Sequence, residues 1–533
     1  MKGESDRWSH PEERNLVSQT SDGNYGNGHE TWKIGSTWTK FLFPFLFDVD
    51  IAGYADSAHP KVSDYFVESR WVRRVWVEHE YDLAELDNML PYVKQYLKLP
   101  DNHRRFRMND ACISPRLVFA FQQPSLACAF RIASIEMDIF YNGVGFISIE
   151  IEPLAEGGPC PKAPLTIEQV EQTNAQLASI TNGVPFRVVG SVFQEEEVDK
   201  ESKLFMDNEY ADWCDLHKSY TLKSLLDELL LLPFREDDHL SITPMIDRFL
   251  PIYGALLLHP THASEPIERL DEQFFHFAES HLTILRKTFT PNHISRFSQL
   301  HVDEEGHNYM PYHNVIHSQS LDGGFVLAYD NGLAHYQGER PRAMESFRTN
   351  YFYMMLVPFH QRLSILRYAS EMANLAVSTR RGERARKIRE QIYDFSSRCY
   401  FRQASVSEER NTIYRRWQSI FHVTEMFLDL KQEVHDIDNY LADLYRSRDA
   451  ALRDKMMRRD MRSSQLFGLI TLVFLPITIT TQIIMSIPVL QSWIHPERHP
   501  LHSLIILFLM ILFVACMLYF ILRYVRRAAI KDV

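Results

Sequence analysis

Two uncharged apolar stretches near the C-terminus constrain this chain more than any other feature. Gln465 to Ile487 reads QLFGLITLVFLPITITTQIIMSI, and Ser503 to Leu522 reads SLIILFLMILFVACMLYFIL. A hydrocarbon core about 30 Å thick is crossed by about 20 apolar residues in a helix, so each stretch is long enough to span. Arg453, Lys455, Arg458, Arg459 and Arg462 precede the first, and Arg523, Arg526, Arg527 and Lys531 follow the second. The loop between them, 488–502, holds one basic residue, Arg498. Basic flanks stay on the cytoplasmic side, or on the matrix side in an organelle; the expectation is a multi-pass protein of the cell inner (plasma) membrane with both termini cytoplasmic and a short basic tail, 523–533. No signal peptide is expected, because the early apolar run Phe41–Phe47 is short and holds Pro44.

The residues ahead of the first span are enough for a large core of their own. The net charge of -12 argues against nucleic acid as a partner. The six cysteines are scattered with no CxxC pair, which fits a reducing compartment and speaks against a thiolate zinc site.

Residues 1–36 are polar and read as a disordered tail, and 37–341 as a cytoplasmic α/β domain. Two hairpins are predicted. In the first, Ile135, Met137 and Ile139 and then Ile147, Ile149 and Ile151 alternate with polar residues around Asn142-Gly143. Asn-Gly supplies the two positive φ values of a type I′ turn. The second runs from Val315 through Asp322-Gly323 to Tyr329. Helices are expected near Leu83–Leu99 (broken or kinked at Pro91), Leu222–Leu232 and Leu270–Phe289, and a solvated loop or linker at Gln194–Lys203. The segment 342–464 reads as a helical stalk: Met344 to Thr379 with a kink at Pro358, then Glu383 to Gln403. A last helix, from about Glu408 through the first span, has an apolar stripe that includes Ile413, Trp417, Phe427, Leu430, Ile437 and Leu444. Such a heptad-like coiled-coil stripe needs other helices or other copies of itself to cover it.

An α/β domain, a long helix entering a first span, a short outer loop, a second span and a basic tail together resemble the CorA-type magnesium channel superfamily. The local likeness is the Pro-apolar-Thr step Pro476-Ile477-Thr478 inside the first span. The resemblance implies a homopentamer with first spans lining a pore. The family closes its first span with Gly-Met-Asn, where this chain has Met485-Ser486-Ile487. Mg²⁺ is held through oxygen ligands and water, and Met and Ile supply no oxygen for it. Assembly therefore carries over and magnesium selectivity does not.

Within the first span Ser464, Gly468, Thr471, Leu475, Thr478 and Gln482 are spaced four, three, four, three, four. They share one helix face, which predicts a weakly polar pore with Leu475 and Phe467 as apolar constrictions. The alternative for the hydroxyls is bonding back to their own helix carbonyls. Asp429, Asp436 and Asp443 form a row that either lines a vestibule or faces solvent. His301, Asp303, Glu304, Glu305, His307, His313 and His317 are dense potential ligands in no zinc spacing and read as structural or solvated. His495, Glu497, His499 and His502 read as ordinary loop polarity. Arg380, Arg381, Arg384, Arg386, Lys387 and Arg389 form a basic patch, suited to an anion or to solvent. No nucleotide-binding glycine loop or nucleophile elbow is present, and a non-enzyme is expected.

The expected function is passive passage of cations, Mg²⁺ or another divalent metal among them, through a homo-oligomeric pore in the bilayer. No cofactor beyond such a permeant or regulatory ion is called for. Two alternatives stay open. One is a ligand-gated membrane effector whose cytoplasmic domain senses a small signalling ligand, as some CorA-like proteins without the usual filter do in prokaryotic defence. The other is a non-conducting membrane scaffold.

Overall fold

A computed structural model describes residues 32–49, 75–80, 86–191 (except 111, 124–125 and 155–163), 219–228, 240–287 (except 247 and 263–265), 307–375 (except 339), 381–486 and scattered positions from 488 to 523. The N-terminal part is mixed α/β around one large sheet. The chain divides into two compact units, Met1–Val434 and His435–Val533. Helices read as stalk up to Val434 thus belong to the same unit as the sheet.

Among the described residues the sheet has twelve strands. Its axis is β1 (Trp32–Val49), which starts within the segment read as tail. Then follow β2 (Trp76–Glu78), α1 (Pro91–Lys98), β3 (His103–Met108), β4 (Leu117–Phe121), β5 (Phe130–Phe140), β6 (Val144–Pro153) and α2 (Ile167–Ala178). After these come β7 (Phe186–Ser191), α3 (Leu222–Leu226), β8 (Leu240–Pro244), β9 (Ile252–Pro260), α4 (Ile267–Lys287), β10 (Asn308–Tyr312), β11 (Val315–Ser320) and β12 (Gly323–Tyr329). The order runs β10-β11-β12-β9-β1-β6-β5-β3-β2, with β8 on β1, and β4 joining β5 to β7. The β9–β12 pair is parallel and the others are antiparallel. Pro44 cannot donate to a ladder, and it falls at a changeover: β9 pairs with β1 up to Phe41 and β8 begins at Phe45.

The period-2 pattern sorts side chains by face. Phe41, Phe43, Phe45 and Phe47 of β1 join Ile135, Met137, Ile147 and Ile149 in one core. A second core forms where α4 lays Leu270, Phe274, Leu282 and Leu285 on Leu256, Leu258, Phe325 and Leu327. α4 is the helix expected at Leu270–Phe289, and it starts three residues earlier. Pro91 opens α1 instead of breaking a longer helix, because its missing N–H costs nothing at the first helical position.

Both hairpins form, with turns that differ from the expectation. At Asn142 φ is not positive; only Gly143 is left-handed (φ 77°), and the Gly143 N–H donates to the Phe140 carbonyl at 3.1 Å. This is the three-residue pattern, a turn closed by a left-handed glycine. In the second hairpin Ser320 pairs with Gly323, so Leu321-Asp322 form the turn and Gly323 starts the returning strand.

The helical part begins with α5 (Arg342–Ser346), passes through a π turn (Phe347–Tyr351) and continues as α6 (Phe352–Leu375), with Pro358 inside. Then come α7 (Arg381–Arg398) and α8 (Glu408–Ile420). The continuous helix expected from Glu408 is interrupted. His422 takes a left-handed φ of 52°, and α9 (Val423–Ser486) starts afresh. The break lets Phe421 stack on Trp417 and Phe359, at centroid distances of 5.0 and 5.2 Å, while Phe427 stacks on Tyr400 at 4.2 Å. These aromatic contacts offset the cost of a left-handed residue, roughly 1–2 kcal/mol. The apolar stripe is accordingly split: Ile413, Trp417, Phe427 and Leu430 are buried within the first unit, while Leu444 is exposed.

At 64 residues α9 is about 96 Å long. Among the described residues it is the one helix long and apolar enough to cross a membrane. The described positions of the second apolar stretch, from Leu504 to Phe520, are helical.

Candidate functional site

Among the described residues three places bring chemistry-bearing side chains together. The first is on α9. Ser464, Phe467, Gly468, Thr471, Leu475, Thr478 and Gln482 all lie on this single helix. At about 100° per residue the six spaced positions fall within an arc of about 80°. Thr471 donates its hydroxyl to the Phe467 carbonyl and Thr478 to the Phe474 carbonyl, both at 2.8 Å. These bonds are the back-bonding alternative raised for this stripe, and they leave each hydroxyl oxygen a lone pair toward the helix exterior. Phe467, Ile470, Leu472, Phe474 and Leu475 are exposed. A run of bare large apolar side chains on that scale marks a membrane or a partner surface. Asp429, Asp436 and Asp443 are exposed, and Asp443 pairs with Arg446 at 3.1 Å.

The second place was not legible as a site. It is a cleft of about 1090 Å³ on the sheet face opposite the phenylalanine core. Side chains of β1, β3, β5 and β6 form its floor, and Arg340, Pro341, Met344, Glu345 and Arg348 form part of its wall. On that face Ser134, Glu136 and Asp138 of β5, and Ser148, Glu150 and Glu152 of β6, alternate with the isoleucines of the core. The structure buries Glu136, Asp138, Ser148 and Glu150.

Burial of Glu136 and Glu150 is possible because each is matched by a cation, while Asp138 lies 2.9 Å from His103 Nε2. Lys40 Nζ lies 3.4 Å from Glu136 and 3.6 Å from Glu150. Arg105 donates to Glu136 at 3.0 Å. Arg348 bridges Glu150 and Glu152, each at 2.9 Å, and Arg131 donates to Glu152 through Nε at 2.6 Å. The cations also rest on aromatic faces: Lys40 on Phe352, Arg105 on Tyr353 and Arg348 on Trp38. Burial opposes the charge on Glu136, yet Lys40 and Arg105 overcome it and hold its carboxyl down at about 2. Glu150 goes the other way. Burial raises it, Lys40 and Arg348 only partly offset this, and the Glu136 and Glu152 charges add to the rise.

A third cluster has the composition of a cysteine–histidine–asparagine catalytic set. Cys399 Sγ is 3.2 Å from His360 Nδ1, and His360 Nε2 is 3.1 Å from Asn142 Oδ1. Cys399 and His360 are completely buried, however, and burial pushes the Cys399 thiol up to about 12. A nucleophilic cysteine needs the opposite shift and access for substrate. The cluster instead ties the β5–β6 turn to α6 and to the end of α7, with Phe140 stacked on His360 at 3.8 Å.

Of the histidine-rich segment, His301, Asp303, Glu304 and Glu305 lie outside the described residues, as do 194–203 and the outer-loop histidines His495, His499 and His502. His317 is a buried core residue against Phe347 and Tyr351. Among the described residues no group of three or more His, Cys, Asp or Glu side chains is arranged to hold a metal ion. Burial lowers His317 to about 3, so it is neutral in the fold. The unfolded chain takes up that proton near pH 6.5. The stability His317 contributes is therefore present above pH 6.5 and is lost as pH falls toward 3. The melting temperature of the full chain in detergent should drop through this window, and His317→Asn should flatten that part of the profile.

Of the basic patch on α7, Arg384 and Lys387 line a smaller recess of about 320 Å³, but Asp48 and Glu371 line it too and Arg367 lies between them.

Comparison with protein families, with curated proteins and with solved structures finds no match to the chain.

Proposed function

We propose that this chain is a CorA-like membrane channel that assembles as a homo-oligomer, with a pentamer the expected size, and passes cations along the polar face of α9. The observation that carries this reading is the four-three-four-three-four row from Ser464 to Gln482 on one unbroken helix that leaves the α/β unit already formed. A lone helix of this kind leaves that face in lipid. Several copies around an axis turn it inward, where hydroxyl and amide oxygens face ions and water. The 503–522 stretch serves as the second span and forms the outer ring, with both termini in the cytoplasm.

Selectivity among cations is weak in this reading, because Met485-Ser486-Ile487 brings no ring of oxygen ligands beyond Ser486. Ser486 itself donates to the Gln482 carbonyl at 2.6 Å. Flux in proteoliposomes should differ little between Mg²⁺ and other divalent cations, and a strong Mg²⁺ preference would contradict this.

The ligand-gated alternative gains support from the charged cleft, a built recess of a size suited to a small molecule. In that version the α/β unit is the receptor and α9 the element it moves.

Assembly is tested directly. Cysteines at Thr471 and Thr478 should cross-link between subunits, while one at Leu509 should not. Native mass measurement in mild detergent should show an oligomer; a monomer defeats the proposal.

A further inference from the structure

The cleft holds more positive charge than its internal pairing uses. Seven cationic side chains line it: Lys40, Arg105, Arg107, Arg116, Arg131, Arg340 and Arg348. Four carboxylates line it as well, Glu136, Glu150, Glu152 and Glu345, and each has a cationic nitrogen within 4 Å. The carboxylates are thus neutralised from within, and among the described residues two cationic side chains stay outside that pairing. Arg107 and Arg340 pair with no carboxylate among the described residues. Arg107 sits on β3, opposite Glu136 in the register, but Glu136 is engaged by Lys40 and Arg105. Arg340 is exposed on the rim, just ahead of α5.

Donors without acceptors point the same way. Trp38 lines the cleft and is 1% exposed, and its indole N–H is buried with no acceptor among the described residues. The Ser36 hydroxyl, also in the lining, is likewise unpartnered. A buried N–H that lacks an acceptor is destabilising. A ligand rich in acceptor oxygens would recover that loss. The lining is too charged for an apolar ligand, and a cation would meet a positive field.

We propose that this cleft is a binding site for a small phosphate-bearing anion, with Arg107 and Arg340 grasping its phosphoryl oxygens and Trp38 donating its indole N–H. Guanidinium groups match phosphate oxygens two at a time, which favours phosphoryl groups over a diffuse anion. Ordinary ligand pockets enclose roughly 300–1,000 Å³, so a volume of about 1090 Å³ admits a nucleoside triphosphate as well as a bare triphosphate. The ion-paired floor of Lys40, Arg105, Glu136 and Glu150 fixes the shape of the site without consuming the rim charges. This site stands whether or not α9 conducts, since it lies wholly within the α/β unit.

The test is thermal shift and titration calorimetry on the full chain in detergent, with inorganic triphosphate, ATP and inorganic phosphate, each against sodium chloride of equal ionic strength. Triphosphate should raise the melting temperature and bind more tightly than phosphate. Arg107→Glu and Arg340→Glu should each weaken that binding at least about tenfold, roughly 1.4 kcal/mol. Both positions have solvent access, so the fold should survive, and unchanged melting of the unliganded variants checks this. Arg386→Glu, on the α7 patch, should leave binding as it was. Binding of both triphosphate and ATP supports recognition of the phosphate chain. Binding of ATP alone also supports the site, and adds recognition of the nucleoside. The proposal is overturned if no anion acts beyond the salt control, or if Arg386→Glu weakens binding as much as Arg107→Glu does.

Discussion

Leu475→Ser should raise basal ion leak through reconstituted protein by at least about tenfold, the change that 1.4 kcal/mol off the barrier produces. Leu475 lies in the centre of the polar row on α9, between Thr471 and Thr478. In an oligomer with that row inward, its side chains form a narrow apolar ring. Water in such a ring is unstable, so the ring closes the path without a plug. A serine at the same place hydrates it. Phe467→Ser, about two turns toward the N-terminal end of α9, should have a smaller effect in the same direction. Leu509→Ser in the second apolar stretch should perturb packing without raising leak. That comparison separates gating from general loosening, since either change can weaken a bundle. An assembled Leu475→Ser protein with unchanged leak would remove Leu475 from the gate.

Lys40→Met should destabilise the α/β unit by about 3 kcal/mol or more, the range for removing one partner of a buried ion pair. Lys40 is shared by two buried carboxylates, and methionine fills its volume without its charge. Arg105 still serves Glu136, and Arg348 still serves Glu150. The loss should depend on pH, and the sign follows from Glu150. Its carboxyl already sits above the ordinary range, so the folded state holds its proton more tightly than the unfolded chain does. Stability is lost as pH rises from about 4.5 through the raised value. Without Lys40 that value rises further, so the variant should be close to wild type in mild acid and clearly weaker at neutral pH. Adding Glu150→Gln should restore part of the difference. Chemical denaturation of the full chain at two pH values reads all of this, and a pH-independent loss would mean that Lys40 acts through packing alone.

Much of the fold was legible because periodicity records burial. The isoleucines of β5 and β6 announced a hairpin, and Leu270, Phe274 and Leu282 announced α4, because a half-buried element must repeat its apolar residues at its own period. The turns were misjudged for a local reason. Asn-Gly permits two left-handed residues but does not require them, and Asn142 is held by Ser364 and His360 in another conformation. The start of α9 was missed because His422 carries no helix-ending signature; the break exists for the stacking of Phe421 and Phe427, which only the tertiary fold provides.

The α9 row was readable in full, since all its members lie within one helix and spacing alone places them. The cleft was hidden for the converse reason. Lys40, Arg105, Glu136, Glu150 and Arg348 come from five elements, and each has the sequence context of a solvated strand or helix face. Nothing in one strand says that a helix covers it.

The central claim, that the Ser464–Gln482 face lines an ion pathway, is tested most directly by thiol accessibility during flux. In a Cys516→Ala background, which removes the exposed native thiol of the second apolar stretch, single cysteines are placed at Thr471, Thr478 and Leu472. A charged, membrane-impermeant thiol reagent is then added while cation flux through proteoliposomes is recorded. Thr471→Cys and Thr478→Cys should be modified and lose flux, while Leu472→Cys, on another face of the helix, should do neither. If all three positions are inert, or if Leu472→Cys alone reacts, that face does not line a pathway and α9 is a membrane anchor.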